Sequence, residues 1–257
     1  MNRVEGKAAL ITGGGAGIGA ATGELVCAEG GMAVLVDANA DALAVTMKAI
    51  AQRVPGARVS TFAADVADAG AAARAVEHAL QTFGRIDILV NNAAMRNYSA
   101  IADSTPAEWQ AMVGVNLIGT ANYCKAALPA LRHSGRASIV NVSSCYALTG
   151  RKGMGLYDAT KAGILALTRT LAFEEVAHGV RVNAVCPGST LTDFHISKAK
   201  AAGKSVETLK TERQTTSLLG RWATPQEIAW PILWLASDEA SFITGATLAV
   251  DGGLSIM

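Results

Sequence analysis

The chain has 257 residues, of which 51% are hydrophobic and 17% are charged, so it can bury a large core and is not expected to be disordered. Its formal net charge is +1 and it carries neither a basic stripe nor an acidic tail, which argues against a nucleic-acid partner. No apolar run reaches the ~18 residues needed to cross a membrane, so we expect no membrane partner.

The start of the chain and its cysteines bear on location. A strand-like segment begins at Lys7, which leaves no room for a signal peptide. The cysteines Cys27, Cys124, Cys145 and Cys186 are dispersed without a CxxC pair. We therefore favour buried thiols in a reducing cytoplasm, and we predict no metal site. A nucleophilic role for Cys145 is the alternative, but the sequence offers it no evident His partner.

Short apolar segments alternate with longer helical patterns through most of the chain. The predicted strands are 7–12, 32–36, 57–63, 86–90, 136–142, 180–186 and 246–250. The predicted helices are 17–29, 40–53, 68–83, 107–133, 155–177 and 225–237. Strands that are apolar throughout are typical of a sheet covered on both faces. The alternation predicts one α/β domain over residues 1–257, with a doubly wound and mostly parallel sheet of seven strands flanked by helices on both faces.

A glycine-rich segment, TGGGAGIG, runs from Thr12 to Gly19 between the first predicted strand and the first helix. Glycines there let the backbone turn sharply and approach a pyrophosphate, which binds at the N-terminus of the helix. An ordinary turn is the alternative for a glycine cluster alone. The strand before it and the helix after it favour a dinucleotide site, and the absence of a following Gly-Lys-Ser/Thr excludes a P-loop.

The second predicted strand ends at Asp37, 18 residues beyond Gly19. An acidic residue at this place is expected to bind the adenosine ribose hydroxyls and to repel a 2′-phosphate. The alternative for Asp37 is a helix N-cap, which Asn39 could equally supply. We therefore predict NAD(H) as the cofactor.

Polar residues also follow the third and fourth strands. Asp65 is placed to contact the adenine, with helix capping as the alternative, although Asp68 is better placed to cap. The segment Asn-Asn-Ala-Ala at 91–94 follows the fourth strand, where small residues allow a ligand to come close. Asn116 lies inside the predicted helix 107–133, where Asn is a mildly poor helix former, so it is a candidate for a specific hydrogen bond.

Tyr157 and Lys161 are four residues apart in a predicted helix, which places both side chains on one face. A lysine ammonium one turn away favours the phenolate and lowers the pKa of the tyrosine from its usual ~10. The pair could then move a proton to or from a substrate oxygen near neutral pH. Ser144, which follows the fifth strand, could hold the same oxygen. A solvated pair on a helix is the alternative.

The alternation breaks between about residues 190 and 220, where the sequence is basic and mixed. This insertion at the carboxyl edge of the sheet is interpreted as a substrate lid, and a solvated pair of helices is the alternative. His195 is interpreted as a surface or lid residue rather than a catalyst. The candidate substrate contacts are Arg96, Tyr98, Tyr146, Arg151, Met154, Phe194 and His195. Arg96 and Arg151 flank the expected pocket, and their positive charges are compatible with a polar or anionic substrate.

The motifs, in chain order, are Thr-Gly-x-x-x-Gly-x-Gly at 12–19, Asn-Asn-Ala at 91–93, Asn116, Ser144, Tyr-x-x-x-Lys at 157–161, Pro187-Gly188, Thr244-Gly245 and Val-Asp-Gly-Gly at 250–253. Together they resemble the short-chain dehydrogenase/reductase family, and the resemblance covers essentially the whole chain. It implies a single Rossmann-like domain, a nicotinamide dinucleotide, and interconversion of an alcohol and a carbonyl.

The resemblance also implies roles for individual residues. Tyr157 would be the acid/base, and Lys161 would bind the nicotinamide ribose and lower the pKa of Tyr157. Ser144 would orient the substrate oxygen, and Asn116 would hold a water that links Lys161 to solvent. Thr192 would bind the carboxamide group of the nicotinamide.

The predicted cofactor-binding residues are Gly13, Gly17, Ile18, Gly19, Asp37, Asp65, Val66, Asn92, Tyr157, Lys161, Pro187, Gly188, Thr190 and Thr192. One departure from the family is Ala94, where a glycine is usual. The added methyl group is expected to be tolerated, although it could shift the fit beside the nicotinamide ribose.

We therefore predict an NAD(H)-dependent oxidoreductase for a small secondary alcohol or ketone. The alternatives are an NADPH-dependent reductase of 3-oxoacyl-type ketones and a dinucleotide-binding regulatory protein without turnover. The resemblance also predicts a homotetramer that pairs helices 107–133 and 155–177. The second of these helices has a rich apolar set, consisting of Ile164, Leu165, Leu167, Leu171 and Phe173.

Overall fold

The computed structural model describes residues 2–211 and 217–257. The strands are β1 Ala8–Thr12, β2 Met32–Asp37, β3 Arg58–Ala63, β4 Ile88–Asn91, β5 Ala137–Val142, β6 Val180–Pro187 and β7 Thr247–Val250. The helices are α1 Gly17–Ala28, α2 Ala40–Arg53, α3 Ala69–Phe83, α4 Pro106–Val113, α5 Gly119–Ser134, α6 Gly155–Glu175, α7 Asp193–Ala201, α8 Val206–Thr211 and α9 Pro225–Ala236. Within these described ranges, no helix is long and apolar enough to cross a membrane.

The described strands form one seven-stranded parallel sheet in the order β3-β2-β1-β4-β5-β6-β7. The chain winds outward from β1 in one direction and then, from β4, in the other. Such a reversal opens a crevice at the carboxyl ends of the two central strands, where ligands bind in sheets of this kind. The predicted fold class, a doubly wound Rossmann-like domain with seven parallel strands, is confirmed.

Each face of the sheet carries its own apolar core, as the uninterrupted apolar strands predicted. On one face, α1, α2 and α9 pack through residues such as Val26, Ile50 and Ile232. On the other, α3, α5 and α6 contribute residues such as Ala75, Tyr123 and Leu171. The strands are thereby held between two helical layers, and their carboxyl ends are left to form the site.

The sequence predicted one continuous helix over residues 107–133, and this prediction is wrong. The segment begins at Pro106 behind a capping box formed by Thr105 and Glu108, and it is interrupted by a π-helical stretch, Gly114–Ile118, before α5. The π turn carries Asn116 inward, where it is fully buried. A wider turn at a buried polar residue is typical of π-helical insertions in helices.

The segment predicted as a lid contains α7 and α8. Trp222 Nε1 donates to the carbonyl of Leu209 at 2.9 Å, which ties the end of α8 to the chain that leads into α9. The segment thus contains two helices, and its role as a substrate lid stays a prediction. Residues 212–216 of the predicted lid lie outside the described residues.

Candidate functional site

A pocket of about 450 Å³ opens at the carboxyl edge of the sheet, above β1, β4, β5 and β6. The predicted site residues that line it are Gly13, Gly17, Ile18, Asp37, Asn92, Arg96, Ser144, Tyr157, Lys161, Pro187, Gly188, Thr190, Thr192 and Phe194. The structure thus brings together the glycine segment, the Tyr-x-x-x-Lys pair and the start of α7, which lie far apart in sequence.

The glycine segment fits a ligand that must come very close to the backbone. Gly13 has φ +66°, which favours glycine, and a Cβ on Gly19 would lie 2.1 Å from the carbonyl oxygen of Gly13. No side chain caps the N-terminus of α1, and its first turn has no acidic residue. The N–H groups of this turn are therefore suited to an anionic group such as a pyrophosphate. Gly19 shapes the turn without lining the pocket.

Two hydrogen-bonding residues fix the crevice between β1 and β4. Thr12 Oγ1 accepts from the backbone N–H groups of Asn92 and Ala93 at 3.0 and 3.1 Å. The Asn92 side-chain amide donates to the carbonyls of Thr12 and Gly13 at 3.1 and 3.0 Å. Asn92 therefore holds the glycine segment in place. Ala94 lines the pocket, and the described residues contain no non-glycine with positive φ, so its methyl group meets no backbone penalty.

Asp37 is half-buried at the far end of the pocket. One carboxylate oxygen accepts from the N–H of Gly15 at 3.0 Å, and the other accepts from the N–H of Asn39 at 3.0 Å. Asn39, whose side chain accepts from Ala42 N–H, is the N-cap of α2. The carboxylate of Asp37 is therefore directed at the glycine segment rather than used as the cap.

The predicted adenine contacts lie beside this end. Asp65 is exposed, and its Oδ1 accepts from the N–H of Ala67 at 2.9 Å, while Val66 is buried. Asp68, the residue better placed to cap, is the N-cap of α3, so Asp65 does not take the capping role considered as its alternative. Neither Asp65 nor Val66 lines the pocket formed by the described residues.

The Tyr157 and Lys161 side chains are both buried at the floor of the pocket. The Lys161 ammonium donates to the carbonyl of Val142 at 2.8 Å and lies 5.7 Å from the ring centre of Tyr157. Ser143 Oγ donates to the carbonyl of Lys161 at 2.7 Å, which fixes α6 against the end of β5. The lysine is thereby held beside the tyrosine by the backbone of the central sheet.

Opposing effects set the pKa of Tyr157. Burial alone would raise it, but the charges of Lys161, Arg96 and Arg151 together outweigh burial and lower the pKa below the usual value for tyrosine. Burial lowers the pKa of Lys161, and Tyr157 opposes this change. A phenol with a lowered pKa in a pocket is a candidate acid/base, as the sequence predicted.

Ser144 is buried in the pocket wall, where its Oγ accepts from the N–H of Tyr146 at 3.2 Å. The hydroxyl keeps its own proton for donation to a ligand oxygen. Cys145, the next residue, is fully buried, and burial raises its pKa to about 11. A thiol with so high a pKa is a poor nucleophile, which disfavours the alternative considered for Cys145.

Asn116 is not exposed in the pocket. Its Oδ1 accepts from the N–H of Met95 at 2.8 Å, and its Nδ2 lies within 3.1 Å of the Met95 carbonyl and 3.0 Å of Thr160 Oγ1. Its backbone carbonyl accepts from Thr120 Oγ1 at 2.8 Å. The side chain of Asn116 therefore anchors the segment that follows β4, and Met95 lines the pocket from that segment.

The candidate substrate contacts divide into two groups. Arg96, Phe194 and His195 line the pocket, whereas the described lining does not include Tyr98, Tyr146, Arg151 or Met154. Arg151 binds Asp158 at 3.0 Å and stacks 3.6 Å from the ring centre of Tyr146. Met154 packs in a small apolar cluster with Met112.

The pocket is also lined by residues that were not predicted from the sequence, among them Met95, Val142, Ser143 and Asp193. Met95 carried no signal beyond its place after the Asn-Asn-Ala-Ala segment. His195 was a candidate substrate contact and was interpreted as a surface or lid residue rather than a catalyst. It lines the pocket, with Nδ1 at 3.0 Å from Thr192 Oγ1 and Nε2 at 3.2 Å from Arg96 Nη1. Contacts between residues so distant in sequence are not visible in local spacing.

Comparison with known proteins places these features in a family. The family model described as enoyl-(acyl carrier protein) reductase matches residues 13–255. The chain is 39% identical over 256 residues to "Short chain dehydrogenase/reductase astE" of Aspergillus oryzae, covering 99% of this chain and 97% of that protein. It is 37% identical over 258 residues to the 3-oxoacyl-[acyl-carrier-protein] reductase FabG of Thermotoga maritima, covering 99% of this chain and 100% of that protein.

A solved structure of a known protein is also similar to this chain. L-sorbose reductase from Gluconobacter frateurii, solved with NADPH and L-sorbose, superposes with a TM-score of 0.94 at 30% identity and covers 100% of both chains. The chain belongs to the short-chain dehydrogenase/reductase family, as the motifs predicted. It is an oxidoreductase that acts on CH–OH groups and uses a nicotinamide dinucleotide.

Proposed function

We propose that this protein is an NAD(H)-dependent enzyme that interconverts a small secondary alcohol and the corresponding ketone, with Tyr157 as the acid/base. The observation that carries the proposal is the buried phenol of Tyr157, whose pKa is lowered by the cations around it, in the same pocket as the glycine segment. In ketone reduction, Tyr157 gives its proton to the carbonyl oxygen. In alcohol oxidation, the phenolate of Tyr157 accepts the proton of the substrate hydroxyl.

Other residues orient the reactants. Ser144 donates to the same substrate oxygen, and Lys161 binds the nicotinamide ribose while it favours the phenolate of Tyr157. Asn116 holds the Met95 segment that forms one wall of the pocket and supports the proton path from Lys161. The hydroxyl groups of Ser144 and Tyr157 thereby stabilise the negative charge that develops on the substrate oxygen.

The residues of the pocket suit a dinucleotide from its adenosine ribose to its nicotinamide. Asp37 receives the adenosine ribose, and the first turn of α1 after Gly13 receives the pyrophosphate. The residues Asn92, Pro187, Gly188, Thr190 and Thr192 would enclose the nicotinamide half. The cofactor, when bound, supplies or accepts the hydride, and the protein supplies position and electrostatics.

Turnover of a panel of ketones and secondary alcohols, followed by NADH absorbance, tests this function. Tyr157→Phe should lower kcat by ~10²–10⁴-fold, because only the transferable proton is lost. NADH affinity, measured by fluorescence titration, should stay within about twofold of the wild type. A Tyr157→Phe variant that keeps most of the wild-type turnover would exclude the assigned role. Tight NADH binding without turnover of any substrate would favour a regulatory dinucleotide-binding protein.

A second candidate is an NADPH-dependent reductase of 3-oxoacyl chains. The similarity to FabG of Thermotoga maritima favours it, whereas the carboxylate of Asp37 at the adenosine end disfavours it. Comparing kcat/KM for NADH and NADPH with one 3-oxoacyl thioester and one small ketone separates the two functions.

A further inference from the structure

Arg96 directs its guanidinium into the pocket beside the proposed acid/base. Its Nη2 donates to the hydroxyl of Tyr157 at 3.4 Å, and its Cζ lies 4.8 Å from the ring centre. Nη1 lies 3.2 Å from Nε2 of His195. The side chain is half-buried, so its charge is partly withdrawn from water next to the place where the substrate oxygen would bind.

No carboxylate among the described residues forms an ion pair with Arg96. The contrast with Arg151 is direct, because that guanidinium is held by Asp158 at 3.0 Å. The pocket does contain the carboxylates of Asp37 and Asp193, but neither is bonded to Arg96. A guanidinium withdrawn from water without a carboxylate partner favours binding of an anion, and its planar fork matches a carboxylate.

We propose that Arg96 binds the carboxylate of the substrate, so that the enzyme acts on short oxo acids and the corresponding hydroxy acids. This inference rests on the proposed function, because it places the substrate oxygen on Tyr157. The guanidinium is one hydrogen-bond length from the Tyr157 hydroxyl, so only a short spacer fits between the two groups of the substrate. The carboxylate is therefore attached to the reacting carbon or one carbon further along, as in 2-oxo and 3-oxo acids.

Two other roles for Arg96 make different predictions. A contact with the cofactor phosphates would make NADH affinity depend on Arg96. A purely electrostatic effect on Tyr157 would change the pH profile and kcat equally for charged and neutral substrates. Only a carboxylate contact makes the preference for an acid over its neutral ester depend on Arg96.

The test compares acetoacetate with methyl acetoacetate, and pyruvate with methyl pyruvate, in NADH-dependent reduction. The wild type should favour the acid of at least one pair by about tenfold to a hundredfold in kcat/KM. Arg96→Met should remove that preference mainly through KM, and Arg96→Lys should keep part of it, because a lysine offers charge without the fork. NADH affinity should be unchanged in both variants.

Lys198→Met is the matched control. Lys198 lies on α7, whose first residues line the pocket, and its Nζ lies 3.4 Å from the ring centre of Tyr98. The substitution removes one positive charge without changing the described lining. This variant should retain the acid preference. Loss of the preference in Lys198→Met to the same extent as in Arg96→Met would overturn the proposal, because general charge and not contact would then be responsible.

Equal kcat/KM for acid and ester in the wild type would overturn the proposal while leaving the proposed function intact. If no ketone is reduced, calorimetric titration of the NADH-loaded enzyme with the same four compounds decides the matter separately. Tighter binding of an acid than of its ester, lost in Arg96→Met, supports the carboxylate site even though the proposed function has failed. Equal binding of an acid and its ester, or no binding of either, overturns the proposed carboxylate site.

Discussion

At the residue scale, the charge of Lys161 has a consequence for the pH dependence of the reaction. The ammonium lowers the pKa of Tyr157, so the phenolate needed for alcohol oxidation is present at lower pH than for an ordinary tyrosine. Lys161→Met keeps the apolar stem and removes the charge. We expect kcat for oxidation at neutral pH to fall by ~10²-fold, because the base is then protonated.

The pH profile and cofactor binding separate the two roles given to Lys161. The rising limb of kcat for oxidation should move to higher pH in Lys161→Met, because the pKa of Tyr157 rises when the cation is removed. NADH affinity should also weaken, because the ribose loses its partner. A variant with an unchanged profile would contradict the electrostatic role, and unchanged NADH affinity would contradict the ribose contact.

The Asp37 carboxylate has a separate consequence, the choice of cofactor. With NADP(H), a hydrogen bond to the ribose hydroxyl would be lost and two anions would meet. Hydrogen bonds to charged groups contribute ~1.5–3 kcal/mol, so we expect at least a tenfold preference for NAD(H) in kcat/KM. Asp37→Ala should narrow the preference, chiefly by weakening NAD(H). Adding Ala38→Arg in that background should reverse it, because a guanidinium grips the phosphate.

Part of the effect of Asp37→Ala will reflect the loop itself, since the carboxylate also accepts from Gly15 and Asn39. Asp37→Asn is the useful control, because its amide oxygen can keep one of these bonds without the charge. Equal or better use of NADPH by the wild type would show that bracing the loop is the main role of Asp37.

At the element scale, one buried carboxylate joins three parts of the fold. Asp87 accepts from the N–H of Ala8 at 2.9 Å, from two nitrogens of Arg85 at 2.7 Å, and from Ser134 Oγ. These contacts connect the start of β1, the approach to β4 and the end of α5. Burial alone would raise the pKa of Asp87, but the bonds from Arg85, Ser134 and Ala8 outweigh burial and lower it.

Asp87→Asn should therefore destabilise the fold at pH 7 by ~1.5–3 kcal/mol, measured by urea denaturation. A carboxyl whose pKa is lowered on folding stabilises the protein above its unfolded pKa of ~3.9, and this contribution is lost as pH falls through the folded value. The difference between the wild type and the variant should accordingly shrink in acid. The exposed carboxylate of Asp103 offers a control, because Asp103→Asn should leave stability nearly unchanged at both pH values.

The elements also indicate how far the sequence could predict this fold. Each predicted strand lies within about two residues of the observed one. The inner strands are buried and largely apolar, which marks them clearly in the sequence, whereas the edge strands β3 and β7 are only partly buried. The interruption at Gly114–Ile118 could not be predicted, because Asn116 points inward to bond the backbone of Met95 and the side-chain hydroxyl of Thr160, which are distant in sequence. Tertiary contacts of this kind override local helix propensity.

The same reasoning applies to the site. Residues with local motifs, such as Tyr157 and Lys161, lie in the pocket as expected. Arg96 and His195 are 99 positions apart in the sequence, and their contact depends on the position of α7 relative to the segment that follows β4. Spacing along the chain contains no record of such a contact. The sequence and the structure agree least at the substrate end of the pocket, because its described lining does not include the candidates Tyr98, Tyr146, Arg151 and Met154.

At the scale of the whole molecule, the predicted homotetramer depends on which apolar groups the fold leaves exposed. Ile164, Leu165 and Leu171 of α6 are buried in the core, so most of the apolar set noted in the sequence serves the chain itself. Phe173 is the exception, with 86% of its surface exposed, and Ile118 is also exposed. An exposed phenylalanine on a long helix is suited to burial against a second copy of the chain.

We expect light scattering at micromolar concentration to give a mass four times the chain mass of 26.4 kDa. Phe173→Asp should shift the distribution to smaller species, because it places a charge where apolar surface would be covered. Val45→Asp, at an exposed position on α2, is the matched control and should leave the mass unchanged. A monomeric wild type would contradict the prediction. A tetramer that survives Phe173→Asp would instead place the interface away from α6, since a buried aspartate at its centre would separate the subunits.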